Sequence, residues 1–323
     1  TQEKSTAMTE SAVKPTIQAY LDILNHKILP KLLAEGFKPN IINAREALAN
    51  VTKTLMTKPV DCAKVWDDTL DTQPYAVPVR IFHPQPEQAL PVLIYFHGGG
   101  GSVGSVTVYD PILRRLAQAT SHIVIAAEYR LAPENPYPAG QTDALNCVMH
   151  FKQALEARGI AYQNRISIGG DSAGGAICSN LVRQLDLQQY PLAAQVLIYP
   201  SVDFCMGSAS VQQFATGYFL TAERMRWYFE HYFQNGEDYC QMSAVHAEIN
   251  PLTPPTLVFT AGFDPLRDEG IAYAQKLQAA SIHVEHKQFD DLIHAYLNLE
   301  DLCAEECAAT YAQIGAFLNQ QTA

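Results

Sequence analysis

Five short runs of nearly continuous apolar residues, with helical patterning between most of them, constrain this 323-residue chain more than any other feature. The runs are PVLIYFHGGGG (91–101), HIVIAAEYR (122–130), RISIGGD (165–171), AAQVLIYP (193–200) and PPTLVFTAGFD (254–264). An apolar run of four to eight residues without alternation suits a strand covered on both faces, which is the condition of a parallel sheet. AVPVRIF (76–82) alternates instead and predicts a half-exposed strand. Helical patterning over about 110–119, 140–158, 173–188 and 267–280 supplies crossovers for βαβ units, with helices on both faces of the sheet.

Two regions fall outside this rhythm. Residues 16–35 carry Ile17, Tyr20, Leu21, Leu24 and Ile28 at helical spacing, with Pro30 expected to kink or interrupt the helix. A second amphipathic stretch covers about 41–56. Residues 203–250 contain the aromatic-rich helical segment FLTAERMRWYFEHYF (219–233) and no strand of the same type. The expected organisation is therefore a helical segment 1–56, a catalytic α/β body formed by 57–202 and 251–323, and an insertion 203–250. The first segment and the insertion together would make a helical cap. Residues 300–320 predict a closing helix.

The chemistry concentrates at the ends of the apolar runs. Gly170-Asp171-Ser172-Ala173-Gly174 follows ISIG and precedes a helical stretch, the strand–turn–helix setting that a G-x-S-x-G nucleophile requires. The serine must stand on a tight turn, and a side chain two residues to either side would strike the neighbouring strand or helix. The helix behind it aims N–H groups at developing negative charge. Ser172 read only as a helix N-cap is the simpler alternative. His97-Gly98-Gly99-Gly100-Gly101 closes another run. Consecutive glycines expose backbone N–H groups that suit an oxyanion, whereas the P-loop pattern for phosphate is absent. Asp264 lies just past a later strand, where sites on open parallel sheets gather. It could equally cap the helix entered by Pro265, and Asp268 and Glu269 compete with it. Of ten histidines, only His294 lies between the last strand-like run, VEHKQFDD, and the closing helix; His283 and His286 flank or lie within that run. The order Ser…Asp…His is that of an α/β hydrolase.

These residues resemble the bacterial hormone-sensitive-lipase-like esterases. The matching segments are HGGG (97–100), EYRLAPE (128–134), GDSAGG (170–175), YP (199–200), DPLRDEG (264–270) and IHAY (293–296), spread from about residue 75 to 320. The resemblance implies an α/β-hydrolase fold with a mostly parallel central sheet, helices on both faces and a helical cap. It implies a serine carboxylesterase acting on short- to medium-chain esters through an acyl-enzyme. Ser172, Asp264 and His294 fall on the triad; Gly99, Gly100 and Ala173 fall on the oxyanion-hole positions; His97 takes a structural role. No cofactor or metal is implied. Two departures stand out. A bulky residue usually follows HGGG, whereas Gly101 and Ser102 stand here, which predicts a wider pocket. Ala295-Tyr296 replaces the commoner Gly-Phe. An amidase or deacetylase on a dedicated small molecule would carry the same residues, as would a non-catalytic small-molecule receptor apart from its usual loss of the histidine.

Composition narrows partners rather than chemistry. The hydrophobic content of 48% is enough for a large core, and the net charge of −11 opposes nonspecific binding to nucleic acid or anionic membranes. No apolar run is long enough to span a bilayer. Seven cysteines in a chain of this size predict reduced, buried thiols rather than a disulfide scaffold. Cys303 and Cys307, four apart, lack further ligands spaced for a metal. The expected partner is a small-molecule ester in the cytoplasm. Secretion stays open because the chain begins at Thr1, and so does a homo-oligomer.

Overall fold

A computed structural model describes residues 11–321. The chain opens with helix α1 (Pro15–Ile23), a π-helical turn (Leu24–Ile28) and α2 (Leu29–Ala34), followed by α3 (Ile41–Leu55). The α-helical ladder is interrupted just before Pro30, as expected: it widens to the π-helical turn over Leu24–Ile28 and resumes as α2 with Pro30 in its first turn. Asn40 caps α3 by accepting from the Asn43 N–H.

Eight strands form one sheet: β1 (Lys64–Thr69), β2 (Pro78–His83), β3 (Leu90–Phe96), β4 (Ile123–Ala127), β5 (Tyr162–Asp171), β6 (Ala194–Ile198), β7 (Thr256–Phe263) and β8 (Val284–Ile293). Their spatial order is β1-β2-β4-β3-β5-β6-β7-β8. The pairs β1–β2 and β2–β4 are antiparallel, and every pair from β4 through β8 is parallel. Between the strands run α4 (Val106–Thr120), α5 (Ala139–His150), α6 (Lys152–Ala157), α7 (Ala173–Gln184), α8 (Ala209–Gln213), α9 (Ala222–Tyr232), α10 (Tyr239–Met242) and α11 (Arg267–Ala279); α12 (Ala304–Gln320) closes the chain.

The parallel strands are buried on both faces, as their continuous apolar sequences require. Every residue of β3 is buried. Val92, Ile94 and Phe96 pack into the core on one side of the sheet, while Leu93 and Tyr95 pack into the other. Between β6 and β7 the chain leaves the sheet for residues 203–250. Phe204, Val211, Met225, Phe229 and Phe233 form a third, smaller apolar cluster there, together with Ala176 of α7 and Leu266.

One expectation fails here. The cysteines are not all free thiols: Cys205 and Cys240 form a disulfide across a Cα separation of 5.4 Å, while Cys62, Cys147, Cys178, Cys303 and Cys307 remain free. The two partners are 35 residues apart. They meet because the excursion returns to its own starting point, a closure that spacing in the sequence does not reveal. Among the described residues no helix is long and apolar enough to cross a membrane.

Candidate active site

β5 delivers the chain to the centre of the sheet and α7 carries it away, with Ser172 at the junction. The turn is tight enough to place Ser172 at φ 54° and ψ −114°, a region L-residues avoid. The flanking glycines are a steric necessity. A Cβ on Gly174 would overlap the Phe96 carbonyl, and one on Gly170 would overlap the Gly174 backbone. The serine hydroxyl does not cap α7. It faces His294, with Oγ 2.9 Å from Nε2. The N-cap reading of Ser172 therefore fails.

His294 follows β8 and is turned inward by Ala295, which adopts a left-handed conformation (φ 64°). Its Nδ1 donates to Asp264 Oδ2 at 2.7 Å, and Asp264 is wholly buried just beyond β7. The other oxygen of Asp264 accepts the Leu266 N–H at 2.8 Å, so the carboxylate is fixed by its own turn while it holds the imidazole. The competing carboxylates point elsewhere. Asp268 accepts the Ser210 N–H and pairs with Arg267, and Glu269 accepts the N–H groups of Val202 and Asp203. His286 hydrogen-bonds Thr260, and His283 pairs with Glu285 on the surface.

The glycine loop after β3 lies against the same serine. Gly99, Gly100, Ser172, Ala173 and His294 line one cavity of about 480 Å³. Ala173 is the first residue of α7, so its N–H has no partner within the helix, and Ala173 lines the cavity beside Ser172. Asp171, between the glycine and the serine, is buried and clamps the two halves together. It accepts the hydroxyls of Tyr95 and Tyr109, each at 2.8 Å, and the Gly98 N–H at 3.0 Å. Burial still raises its pKa, against the pull of those donors. His97 is structural. Its ring stacks on Tyr129 with centroids 4.6 Å apart, Nδ1 lies 2.6 Å from the Gly98 carbonyl, and burial lowers its pKa to about 4.

The 128–134 segment braces this loop. Glu128 accepts the Val106 N–H at the start of α4, Arg130 pairs with Asp143, and the Ala132 N–H donates to the Gly101 carbonyl at 2.8 Å. Arg45 of α3 completes the brace. Its guanidinium donates to the carbonyls of Ser102 and Ala132 and pairs with both oxygens of Glu134. Sequence reasoning missed Asp171 and Arg45. Asp171 could have been suspected from its place beside the serine, but Arg45 lies on an ordinary amphipathic helix and left no signal.

The wider pocket expected from Gly101 is not formed. The ring of Tyr232, reaching down from α9, occupies the space a side chain at 101 would take. Beyond the glycine loop the cavity is lined by Tyr20, Leu48 and Val51 from the front helices and by Met225, Tyr228 and Phe229 from α9. Among the described residues one group of possible metal ligands involves the cysteines. Cys205 and Cys240 lie near His246, but their sulfurs are bonded to each other. Cys303 and Cys307 have sulfurs 3.8 Å apart, and both face the Tyr296 carbonyl.

Comparison with known proteins places this geometry in a family. The α/β-hydrolase-fold family profile matches residues 93–298. An ethyl acetate hydrolase of Pseudomonas putida is 31% identical over 308 residues, covering 91% of this chain and 95% of its own. Esterase LipI of Mycobacterium tuberculosis is 31% identical over 315 residues, covering 95% of this chain and 94% of its own. The solved structure of an ester hydrolase from the metagenome of Lake Arreo, bound to a phosphonate derivative, superposes with a TM-score of 0.85 at 31% identity; the match covers 95% of this chain and 98% of that one. The chain belongs to the α/β-hydrolase family, in its hormone-sensitive-lipase-like branch.

Proposed function

We propose that this protein is a serine carboxylesterase in which Ser172 is the nucleophile, His294 the general base and acid, and Asp264 the group that orients and stabilises the imidazole. The observation that carries the reading is the continuous chain of short contacts from Ser172 Oγ to His294 Nε2 (2.9 Å) and from His294 Nδ1 to Asp264 (2.7 Å), inside a lined cavity. The relatives named for ester hydrolysis support the reaction class.

In this mechanism Ser172 Oγ attacks the ester carbonyl carbon while its proton passes to His294 Nε2. The carbonyl π electrons move onto oxygen, and the N–H groups of Gly99, Gly100 and Ala173 bind that oxyanion. Each such donor is worth about 10²–10³ in rate. Collapse expels the alcohol, protonated by His294, and leaves an acyl-serine. Water then attacks, deprotonated by the same imidazole, and the carboxylic acid departs. Asp264 keeps the Nδ1 proton in place, so that Nε2 is free to accept, and it stabilises the imidazolium that follows. The chemistry needs no metal or organic cofactor.

The front helices (Pro15–Leu55; residues 1–10 of the expected 1–56 segment lie outside the described residues) and the excursion (203–250) act in this proposal as a cap, because residues of both line the same cavity as Ser172. A cavity of about 480 Å³ suits small esters with short to medium acyl chains. The test is hydrolysis of p-nitrophenyl esters from acetate to palmitate. Activity greatest at short or medium length, and lost by several orders of magnitude in Ser172→Ala, is expected. Equal activity in the variant, or none in the wild type on any ester, refutes the reading.

A further inference from the structure

The glycine loop and helix α9 fit each other in a way that ordinary packing does not require. A Cβ built on Gly100 would fall on the Tyr228 ring at its Cγ, and one built on Gly101 would lie 2.9 Å from Tyr232 Cδ2. The obstruction at Gly100 is the root of a ring, not the far end of a flexible chain. Tyr228 and Tyr232 are four apart on α9, so they lie on one helix face and meet two successive glycines. Both rings are held from behind. The Arg224 guanidinium sits over the Trp227 ring at 4.8 Å and over the Tyr228 ring at 5.9 Å. Tyr232 packs edge-on against Tyr137 with centroids 5.7 Å apart, and its carbonyl accepts the Tyr137 N–H. The loop is equally held from below, where Ala132 donates to the Gly101 carbonyl and Arg45 to the Ser102 carbonyl. The loop that carries two of the proposed oxyanion donors is thus gripped between fixed partners on opposite sides.

We propose that Tyr228 and Tyr232 are the specificity-determining residues of this site and also position its glycine loop. They form, from the cap side, the pocket wall that Gly101 does not supply from the loop side. The inference rests on the esterase reading and names the substrates it selects: apolar esters compact enough to fit under the two rings. The bulk on that side of the pocket is carried by α9, so pocket length and loop position are set by one contact. A side chain at 101 and a ring at 232 exclude each other. Gly101 has φ +73°, so alanine there meets backbone strain whatever lies above it. The rescue described next separates that strain from the clash.

The experiment measures kcat and KM for p-nitrophenyl acetate, butyrate, hexanoate and octanoate in wild type, Y228A, Y232A, G101A and the G101A/Y232A pair. Truncating either tyrosine is expected to raise kcat/KM for octanoate relative to acetate by at least about tenfold, the discrimination that one or two buried methylenes provide. G101A is expected to lose kcat on every ester. The same glycine substitution made in Y232A is expected to cost at least tenfold less, because the clash is gone and only the backbone strain remains. A length profile unchanged in both tyrosine variants overturns the inference, as does a glycine substitution equally damaging with and without Tyr232. If Y232A does not fold, Y232V, which ends at Cγ and so lacks the Cδ2 and Cε2 atoms that meet Gly101, keeps some apolar bulk and is read in the same way. Wild-type inactivity on every ester would instead refute the esterase reading, so the two failures are distinguishable.

Discussion

Replacing Asp264 by asparagine changes one atom and, on the geometry here, reverses a proton. One carboxylate oxygen accepts the Leu266 N–H at 2.8 Å and the other faces His294 Nδ1 at 2.7 Å. Asparagine must keep its carbonyl toward Leu266, because an NH₂ group there would face another donor. Its NH₂ group is then left opposite Nδ1, which can pair with it only as an acceptor. The imidazole proton therefore moves to Nε2, the nitrogen that must take the proton from Ser172. A wrong tautomer of this kind costs about 10⁴ in kcat, or about 5 kcal/mol of barrier. Losing one neutral hydrogen bond would cost about 1 kcal/mol, less than about tenfold. The assay is steady-state hydrolysis of p-nitrophenyl acetate by Asp264→Asn, with thermal unfolding to show that the variant is folded. A loss of no more than about tenfold in a folded variant would refute the tautomer argument.

Two further predictions concern stability against pH. Burial lowers the pKa of both His97 and His122 from 6.5 to about 4, so both stay neutral in the folded state where the unfolded chain takes up protons. Stability from these groups is complete above the unfolded value and falls as pH drops from about 6.5 to about 4, by about 3 kcal/mol each. His122→Asn, which keeps a donor for the Thr120 carbonyl, is expected to lose less stability than wild type between pH 7 and 4.5 in urea unfolding; equal losses would contradict this. Glu269 shows the opposite sign. Burial, with Asp203 and Asp264 nearby, raises its pKa well above the ordinary value, so its contribution is complete at low pH and is lost as pH rises through the raised value. Glu269→Gln should therefore gain stability over wild type as pH climbs from 4 to 8, and a difference constant with pH refutes it.

The parallel core was legible because strands buried on both faces must be apolar throughout. Each of the five continuous runs corresponds to one of β3 to β7. β1 was not legible. KVWDDT is polar and half exposed at the sheet edge, where Arg80 pairs with Asp67 and Arg158 with Asp68. An edge strand held by ion pairs, one to the neighbouring strand and one to the end of α6, carries no apolar signature. Ser172, Asp264 and His294 were legible as a set because their order along the chain and their strand-end positions are fixed by topology. The side chains that hold the site in place were not. Arg45 meets Glu134 across 89 residues, and Tyr232 meets Gly101 from a helix that belongs to no strand-helix unit. Such contacts depend on how the front helices and the excursion dock, which periodicity does not encode. The absence of a side chain at 101 was visible and was read as open space, whereas the neighbour that fills it was not visible.

The most direct test of the central claim is active-site labelling by mass spectrometry. The protein is incubated with a p-nitrophenyl alkylphosphonate, which transfers phosphorus to an activated serine and releases p-nitrophenol. The account predicts a single stoichiometric adduct on the peptide carrying Ser172, loss of hydrolytic activity in step with labelling, and no adduct in Ser172→Ala. An adduct on another residue, or full ester hydrolysis by a chain labelled at Ser172, would contradict it.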